Sequence, residues 1–313
     1  MATRRGTLGA VERSRLSASG VVLLALVTLG WGFAWPVIKL VLAEVPPLTF
    51  RGICLLAGGG GVLALARVGG QSLRVPVRHW GRLLVLSACN IVGWNLFVVY
   101  GIANLPSGRA ALLGYTMPLW STLLSIWLLD ERLTARRGLS LALGMSGVAV
   151  LLGAGLSAMA GAMTGVVLMI GAAISWGLGV VLMKRFALPI PTASLTGWMM
   201  LAGGAPIAVG AIALEHGRWH PVSAGAVLGL VYSAGIAFML CYWAWNRLVL
   251  MVPVAVSSVS TLATPVVGVL SGMWLLGEPL TWHEIAAGVC IVGAIALAVR
   301  PREPSRAPVR GEP

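Results

Sequence analysis

The side chains most able to contact a small ligand are aromatic and neutral polar groups inside long apolar segments. Asn90 and Trp94 are four residues apart, so in a helix they project from one face. Amides at membrane depth either join helices through hydrogen bonds or line a wet cavity, and the sequence leaves both open. We predict a lining for a small amphipathic ligand from Trp31, Asn90, Trp94, Asn95, Tyr115, Thr116, Trp176, Tyr232, Trp243 and Asn246.

Charged residues within apolar segments form a second group of candidates. The chain has 20 arginines but only two lysines, Lys39 and Lys184, which lie 145 residues apart. Each lysine can anchor its segment by extending its ammonium group to the membrane interface. The alternative is that they are gating or anion-attracting charges at opposite mouths of a central cavity, with Glu44 as a partner for Lys39.

Arg51 lies near the start of an apolar segment. A guanidinium that faced lipid there would cost about 3 kcal/mol, so we expect it to face protein or water. A structural ion pair is the favoured interpretation. The alternatives are an outer gate formed with Glu44, or attraction of a substrate carboxylate.

None of the nine acidic residues lies in the middle of an apolar segment. This argues against a proton exchanger with a buried carboxylate and against a carrier dedicated to lipophilic cations. We predict no catalytic residue, no metal site and no cofactor, because the sequence shows no reactive cluster and no metal-ligand spacing. Thr281 and Glu284 have the spacing of a capping box, which gives Glu284 a structural role.

These candidates require elements that cross a bilayer. Of the 313 residues, 58% are hydrophobic and 10% are charged, and the mean hydropathy is +0.92. Apolar runs of about 20 residues can each cross a membrane as a helix. We predict ten transmembrane helices, at about 17–42, 47–66, 83–102, 107–129, 138–156, 163–183, 192–214, 223–246, 252–276 and 282–299.

The distribution of positive charge predicts the orientation. A net charge of +13 would suggest a nucleic-acid partner for a soluble protein, but all but four of the 22 Lys and Arg residues fall on one side of the predicted helices. The positive-inside rule places both termini in the cytoplasm of a bacterial cell. We predict the lipid bilayer and a small-molecule substrate as partners and no nucleic acid, and we leave the oligomeric state open.

The two halves of the chain resemble each other. Trp31-Gly32 and Lys39 recur as Trp176-Gly177 and Lys184 at an offset of 145 residues. Because each copy holds five helices, an odd number, the second copy must start from the opposite side of the membrane. This predicts an all-α membrane protein with two inverted-topology five-helix repeats.

The repeat also predicts domain boundaries and helix breaks. Pro118 recurs as Pro265 at an offset of 147, and both are expected to break their helices, with a tolerated kink as the alternative. The predicted repeats cover 17–156 and 162–299, between basic cytoplasmic tails at 1–16 and 300–313.

Short motifs lie within the predicted helices and near their ends. They are Trp31-Gly32, Leu105-Pro106-Ser107, Pro118, Leu129-Asp130-Glu131-Arg132-Leu133-Thr134 and Gly277-Glu278-Pro279-Leu280-Thr281. Together they resemble the EamA family of the drug/metabolite transporter superfamily. The resemblance implies a ten-helix carrier, often an exporter of amino acids or related metabolites, with an arginine at the place of Arg51. Two departures are Asp130-Glu131 in place of the usual Gly-Glu, and Thr196 in place of the second-half arginine.

We therefore predict a secondary transporter that moves a small neutral, zwitterionic or weakly anionic metabolite by alternating access, outward on the evidence of the resemblance. An organic-anion or phosphorylated-metabolite carrier is the alternative, and it is favoured if Lys39, Arg51 and Lys184 converge on one cavity. An intramembrane lipid-processing enzyme is a remote alternative, because it needs clustered reactive groups that the sequence does not show.

Overall fold

The computed structural model describes residues 18–130, 134–156, 160–251 and 254–299. Within these residues the protein is all-helical and contains no strand, as the apolar runs predict. Its α-helices are α1 (Ala18–Leu42), α2 (Pro47–Val68), α3 (Trp80–Ser87), α4 (Trp94–Ala103), α5 (Ser107–Gly114), α6 (Met117–Leu128), α7 (Ala135–Leu156), α8 (Ala160–Phe186), α9 (Thr192–Glu215), α10 (Ala224–Val231), α11 (Cys241–Met251), α12 (Val254–Leu276) and α13 (Trp282–Val299).

Most of these helices have the composition of membrane spans. Among the described residues, seven helical segments are long and apolar enough to cross a membrane: Ser19–Leu42, Pro47–Val68, Val77–Ala103, Ser107–Leu128, Met163–Phe186, Thr192–Arg218 and Ala224–Trp245. Shorter apolar helices cover Gly138–Leu151, Ala263–Leu276 and Trp282–Leu297. Each of the ten predicted runs overlaps one of these apolar segments, and seven of the segments are both long and apolar enough to span a membrane.

Prolines and a glycine set several helix boundaries. Pro47 occupies the first turn of α2, where its fixed φ suits the helix and its missing N–H leaves no bond unmade. Pro106 and Pro191 directly precede α5 and α9. Gly277 follows α12 with a φ of +63°, a conformation that other residues adopt with strain. The chain can therefore turn back sharply between α12 and α13.

In the part of the chain that the structure describes, two stretches of π-helix interrupt the α-helices. The first π-helical segment (Ala88–Gly93) separates α3 from α4, and the second (Tyr232–Leu240) separates α10 from α11. Other helices supply donors to both. Ser175 of α8 donates to the Cys89 carbonyl at 2.8 Å, and Trp31 of α1 donates to a carbonyl of the second segment at 2.9 Å. Helical irregularities of this kind occur frequently at functional sites.

Small residues allow α2 and α9 to pack closely. A Cβ added to Gly59 would lie 2.9 Å from Met200 Cβ and 3.1 Å from the carbonyl oxygen of Gly197. Close backbone approach increases the van der Waals contact that drives helix association in lipid. Elsewhere α1 packs against α11 and α12, α8 packs against α4 and α6, and α7 packs against α13.

The two repeat-related prolines have different surroundings. α5 and α6 are separated by Tyr115 and Thr116, and Pro118 lies in the first turn of α6. Pro265 lies inside α12, which continues through it. The helix break expected at Pro265 is therefore wrong. A proline removes one backbone donor, and packed neighbours can hold a membrane helix together around it.

Carboxylates cap helices to which they do not belong. Glu215 accepts hydrogen bonds from two backbone N–H groups in the first turn of α2, at 3.1 and 2.8 Å. Glu278 accepts from the N–H groups of Ser107 at 2.7 Å and Gly108 at 3.2 Å at the start of α5. First-turn N–H groups lack intrahelical partners, and the positive end of the helix dipole favours an anion.

Glu284 makes its half of the capping box expected at the start of α13. Glu284 Oε2 accepts a hydrogen bond from the Thr281 N–H at 3.1 Å and a further one from the Thr281 hydroxyl. Arg109 Nε donates to Glu284 Oε1 at 2.9 Å, which ties α5 to α13. Glu284 therefore has a structural role, as the spacing predicts.

Gly59→Leu is expected to destabilise the fold because its side chain would overlap α9. Overpacking of this kind typically costs about 1–3 kcal/mol. Gly60→Leu is the matched control, since no atom lies within 4 Å of a Cβ at that position. The measurement is the thermal unfolding midpoint of each purified variant in detergent. A midpoint equal to wild type in Gly59→Leu would contradict the close packing of α2 and α9.

Glu278→Gln is expected to remove a pH-dependent part of the stability. Partial burial raises the pKa of the Glu278 carboxyl, but hydrogen bonds from Ser107 and Gly108 and the charge of Lys39 outweigh it and hold the pKa below 4.5. The ionised carboxylate therefore stabilises the fold above its usual pKa, and this contribution is lost as the pH falls through the lowered value.

At neutral pH the Glu278→Gln variant should be less stable than wild type by about 1–2 kcal/mol, because charge-assisted hydrogen bonds become neutral ones. The difference should shrink as the pH falls through the lowered pKa of Glu278 and the carboxylate takes up a proton. Unfolding midpoints measured across this pH range test the expectation. A difference that stays constant with pH would show that the carboxylate charge does not contribute.

Candidate functional site

Arg51 carries a guanidinium that is buried between α2 and the second π-helical segment. Only 2% of the residue is exposed, and its Cζ lies 5.6 Å from the ring centroid of Phe238. Nε and Nη2 have no hydrogen-bond partner, and none of the ion pairs among the described residues includes Arg51. The expected structural ion pair and the outer gate with Glu44 are therefore not observed in this part of the chain.

An aromatic wall extends from Arg51. The ring centroids of Phe238 and Tyr242 are 6.1 Å apart, and Trp31 lies edge-on to Tyr242 at 5.5 Å. Trp31 Nε1 donates to the Ala237 carbonyl at 2.9 Å, which fixes the plane of the indole. We call Arg51, Phe238, Tyr242 and Trp31 the Arg51 cluster. It combines a cation that can bind a carboxylate with rings that can contact an apolar group.

Two buried amides keep polar atoms without partners. Asn90 is 3% exposed, and neither its amide nitrogen nor its oxygen has a hydrogen-bond partner among the described residues. Asn95 donates to the Ile91 carbonyl at 2.8 Å but leaves its oxygen unpaired in that part of the chain. An unpaired buried amide atom costs about 1–3 kcal/mol. A water or a ligand that hydrogen-bonded to these atoms would remove that cost.

Asn90 and Trp94 both contact α8. Asn90 packs against Gly179, where a Cβ would overlap the amide. Trp94 pairs with Trp176, and their ring centroids are 5.1 Å apart. These residues form a second group of aromatic and amide side chains, which packs against α8.

Three other residues predicted to line the site hold the structure together. Thr116 Oγ1 donates to a carbonyl of α5 at 2.6 Å. The Tyr232 hydroxyl donates to the Gly30 carbonyl at 2.8 Å. The buried ring of Tyr115 lies 6.3 Å from that of Trp35. The hydroxyl groups of Thr116 and Tyr232 are therefore engaged without a ligand.

Two further predicted residues lie on α11. The Arg247 guanidinium lies 5.7 Å from the ring centroid of Trp243. Asn246 lies on the same helix, but its side chain is outside the described part of the structure. Neither residue is among the contacts that define the Arg51 cluster.

Lys39 binds Glu278 rather than Glu44. Its Nζ lies 3.2 Å from Glu278 Oε1 and donates to the Leu105 carbonyl at 2.8 Å. Glu44 instead accepts hydrogen bonds from the N–H and hydroxyl of Ser223, both at 2.6 Å, at the start of α10. The Ser223 hydroxyl and N–H hold the pKa of the Glu44 carboxyl below 4.5. The pairing of Lys39 with Glu44, which belonged to the alternative gating hypothesis, is therefore wrong, because Glu44 caps a helix.

The repeat-related lysines do not converge on Arg51. Lys184 is exposed in the last turn of α8. The side chain of Lys39 is 34% exposed and is held by the loop that follows α12. In the described part of the chain, no group of three or more His, Cys, Asp or Glu residues could hold a metal, and the four cysteines are free.

Phe238 and Glu278 are not among the predicted site residues. The aromatic composition of the eighth apolar run does point to Tyr242, together with Tyr232 and Trp243. The proximity of Tyr242 to Arg51 arises from the packing of α2 against the second π-helical segment, which local sequence patterns do not encode. Glu278 lies in the Gly277–Thr281 motif, and its position there was the available signal.

A solved crystal structure has the same overall fold. Its TM-score is 0.62, with 23% identity, and the match covers 91% of this chain and 96% of that chain. At this level of identity the likeness concerns the fold alone.

Several bacterial proteins similar to this chain are named as transporters. The uncharacterized transporter YoaV of Bacillus subtilis is 25% identical over 85% of this chain and 91% of its own length. A probable amino-acid metabolite efflux pump of Salmonella typhimurium is 29% identical over 88% of this chain and 93% of its own length. A protein of the same name from Escherichia coli is 26% identical, covering 91% and 96%.

The EamA-like transporter family matches residues 18–153 and 163–300, which include nearly all of the apolar part of the chain. The match confirms the family predicted from the motifs. Together with the apolar helices, it identifies a multi-pass membrane transporter and not an enzyme. This chain belongs to the EamA-like transporter family.

Proposed function

We propose that this protein is a secondary transporter of the bacterial cell membrane that exports small metabolites, such as amino acids or related compounds, by alternating access. Family membership supports transport, and the names of two relatives support this class of substrate and the outward direction. The observation that carries the substrate class is the buried Arg51 guanidinium, which has no acidic partner in the described part of the chain.

A carboxylate is the chemical group that fits Arg51 best. The guanidinium presents donors in a planar fork that a carboxylate can accept in pairs. Its Nε and Nη2 atoms are buried and unpaired among the described residues. A single carboxylate would therefore supply the missing acceptors and the missing charge.

The aromatic part of the Arg51 cluster suits the remainder of such a ligand. The rings of Phe238, Tyr242 and Trp31 form a continuous apolar wall beside the cation. Most binding sites for small molecules combine apolar surface with a few polar groups that fix orientation. An amino acid or a similar metabolite with an apolar side chain has this combination.

Inverted repeats at 17–156 and 162–299 are the architecture that we propose for alternating access. The pairing of α2 with α9 and of α7 with α13, each a helix and its repeat counterpart, supports this arrangement. The two π-helical segments at corresponding places support it further. Because Arg51 and Asn90 are buried, a ligand can reach them only after the helices move apart.

An organic-anion or phosphorylated-metabolite carrier is less well supported. The sequence favours that function if Lys39, Arg51 and Lys184 converge on one cavity. Lys39 is paired with Glu278, and Lys184 is exposed in the last turn of α8. A single cation suits one carboxylate better than a doubly charged phosphate.

Arg51→Gln is expected to reduce export of the transported carboxylate by about 10-fold or more, the effect of losing one charge-assisted contact. Arg51→Lys should retain part of the activity, because it keeps the charge but not the planar fork. Arg218→Gln, on the side of the membrane predicted to be external, is the control and should transport normally.

The assay is efflux of radiolabelled amino acids and related metabolites from cells that overexpress each variant, normalised to its abundance in the membrane. Wild type should export each carboxylate substrate faster than its amide derivative. Arg51→Gln should export the two at similar rates. Export by Arg51→Gln at the wild-type rate would overturn the role of Arg51. If neither wild type nor any variant exported these compounds, the proposed substrate class would be overturned.

The proposed orientation places both termini in the cytoplasm, because most Lys and Arg residues lie on that side. Reporter fusions after residues 185 and 300 should both report the cytoplasm. A fusion after residue 218 should report the outer side and is the internal control. An external signal from either of the first two fusions would exclude this topology.

A further inference from the structure

A pocket lies where α2 ends and α9 begins, far from the Arg51 cluster. Its volume is about 600 Å³, and its lining includes Arg67, Gln71, Ser72, Arg74, Trp80 and Trp198. We call it the loop pocket. Arg67 follows Arg51 by 16 residues on α2, a separation of about 24 Å along the helix axis. The loop pocket is therefore a separate surface from the proposed transport site.

Side chains of α9 fix the loop that forms this pocket. Ser194 Oγ donates to the Ser72 carbonyl at 2.9 Å, and Trp198 Nε1 donates to the Leu73 carbonyl at 2.8 Å. The ring of Trp80 lies edge-on to that of Trp198, with centroids 5.5 Å apart. Tertiary contacts, rather than the loop alone, thus hold the pocket in shape.

Two cations line the loop pocket without acidic partners. Arg67 and Arg74 are both exposed, and neither takes part in an ion pair within the described residues. The indoles of Trp80 and Trp198 supply apolar surface next to these guanidinium groups. The pocket therefore combines affinity for an anion with affinity for an apolar group.

The position of the loop pocket matches the edge of a membrane. The candidate spans that surround it end at Val68 and begin at Val77 and Thr192. The pocket therefore lies where hydrocarbon meets the headgroup region, the depth at which tryptophan is enriched. Basic pockets between membrane helices can bind anionic lipid headgroups at this depth.

We propose that the loop pocket binds the phosphodiester headgroup of an anionic phospholipid. Arg67 and Arg74 bind the phosphate, while Trp80 and Trp198 contact the glycerol and the first methylene groups of the acyl chains. Free phosphate shares the anionic chemistry but has no apolar part for the indoles. The lipid therefore matches more of the pocket.

Native mass spectrometry of the purified full chain tests this proposal. The protein is titrated with phosphatidylglycerol, with phosphatidylcholine and with inorganic phosphate, and bound adducts are counted. The test variant is Arg67→Gln/Arg74→Gln. The control, Arg78→Gln/Arg82→Gln, removes the same charge from neighbouring residues that are not in the pocket lining. Unfolding midpoints without added lipid show whether both variants fold.

Wild type and the control variant are expected to retain a phosphatidylglycerol adduct in preference to phosphatidylcholine. In Arg67→Gln/Arg74→Gln its population should fall by about 10-fold, the loss expected for a charge-assisted contact. Arg67→Lys/Arg74→Lys should retain part of the binding, and this variant decides the outcome if the glutamine variant does not fold.

Equal losses in the two glutamine variants would overturn the assigned site, because they would indicate diffuse attraction of lipid to the basic face. Unchanged binding in Arg67→Gln/Arg74→Gln would overturn it as well. Displacement of the lipid by millimolar inorganic phosphate would assign the pocket to a soluble anion and overturn the lipid as ligand.

Discussion

Backbone N–H and C=O groups within a bilayer must find partners inside the protein, because hydrocarbon offers none. An α-helix meets this requirement internally, but irregular segments and helix ends do not. In this protein other elements supply the partners. Ser175 and Trp31 donate to carbonyls of the two π-helical segments, and Glu215 and Glu278 accept from the first turns of α2 and α5. The departures from regular helix are therefore coupled to contacts between helices distant in sequence.

This requirement also separates polar residues that look equivalent in the sequence. Tyr232 and Thr116 are polar groups within apolar runs, yet each donates to a backbone carbonyl. Arg51, Asn90 and Asn95 are buried and retain polar atoms without partners among the described residues. A ligand that pairs with such atoms gains more than one that competes with bonds already made, because an unpaired buried group carries the full cost of its desolvation. The candidate site is therefore smaller than the predicted lining.

The sequence predicts the features that depend on local pattern. The positions of the apolar helices, the capping box at Thr281 and the family all follow from periodicity, spacing and short motifs. It does not predict that Lys39 pairs with Glu278, since the two residues are 239 positions apart and Glu44 is nearer in the chain. The π-helical segments were also missed, because their register depends on donors from other helices. Residues that contact a distant element can be predicted only when the packing of that element is known.

The placement of acids decides how the buried guanidinium of Arg51 can act. Glu215, Glu278 and Glu284 all accept hydrogen bonds from N–H groups at the starts of helices. Their negative charges therefore interact with the positive ends of helix dipoles and do not pair with Arg51. A carboxylate-bearing ligand would then be the partner that neutralises this guanidinium, and burial would make the pairing strong because little water screens it. A carrier must also release its ligand, and a ligand can shift the conformational equilibrium only by its difference in affinity between states. The Arg51 cluster offers a ligand one cation and several aromatic rings. A single charge limits the affinity for the ligand, which allows the ligand to be released on the other side of the membrane.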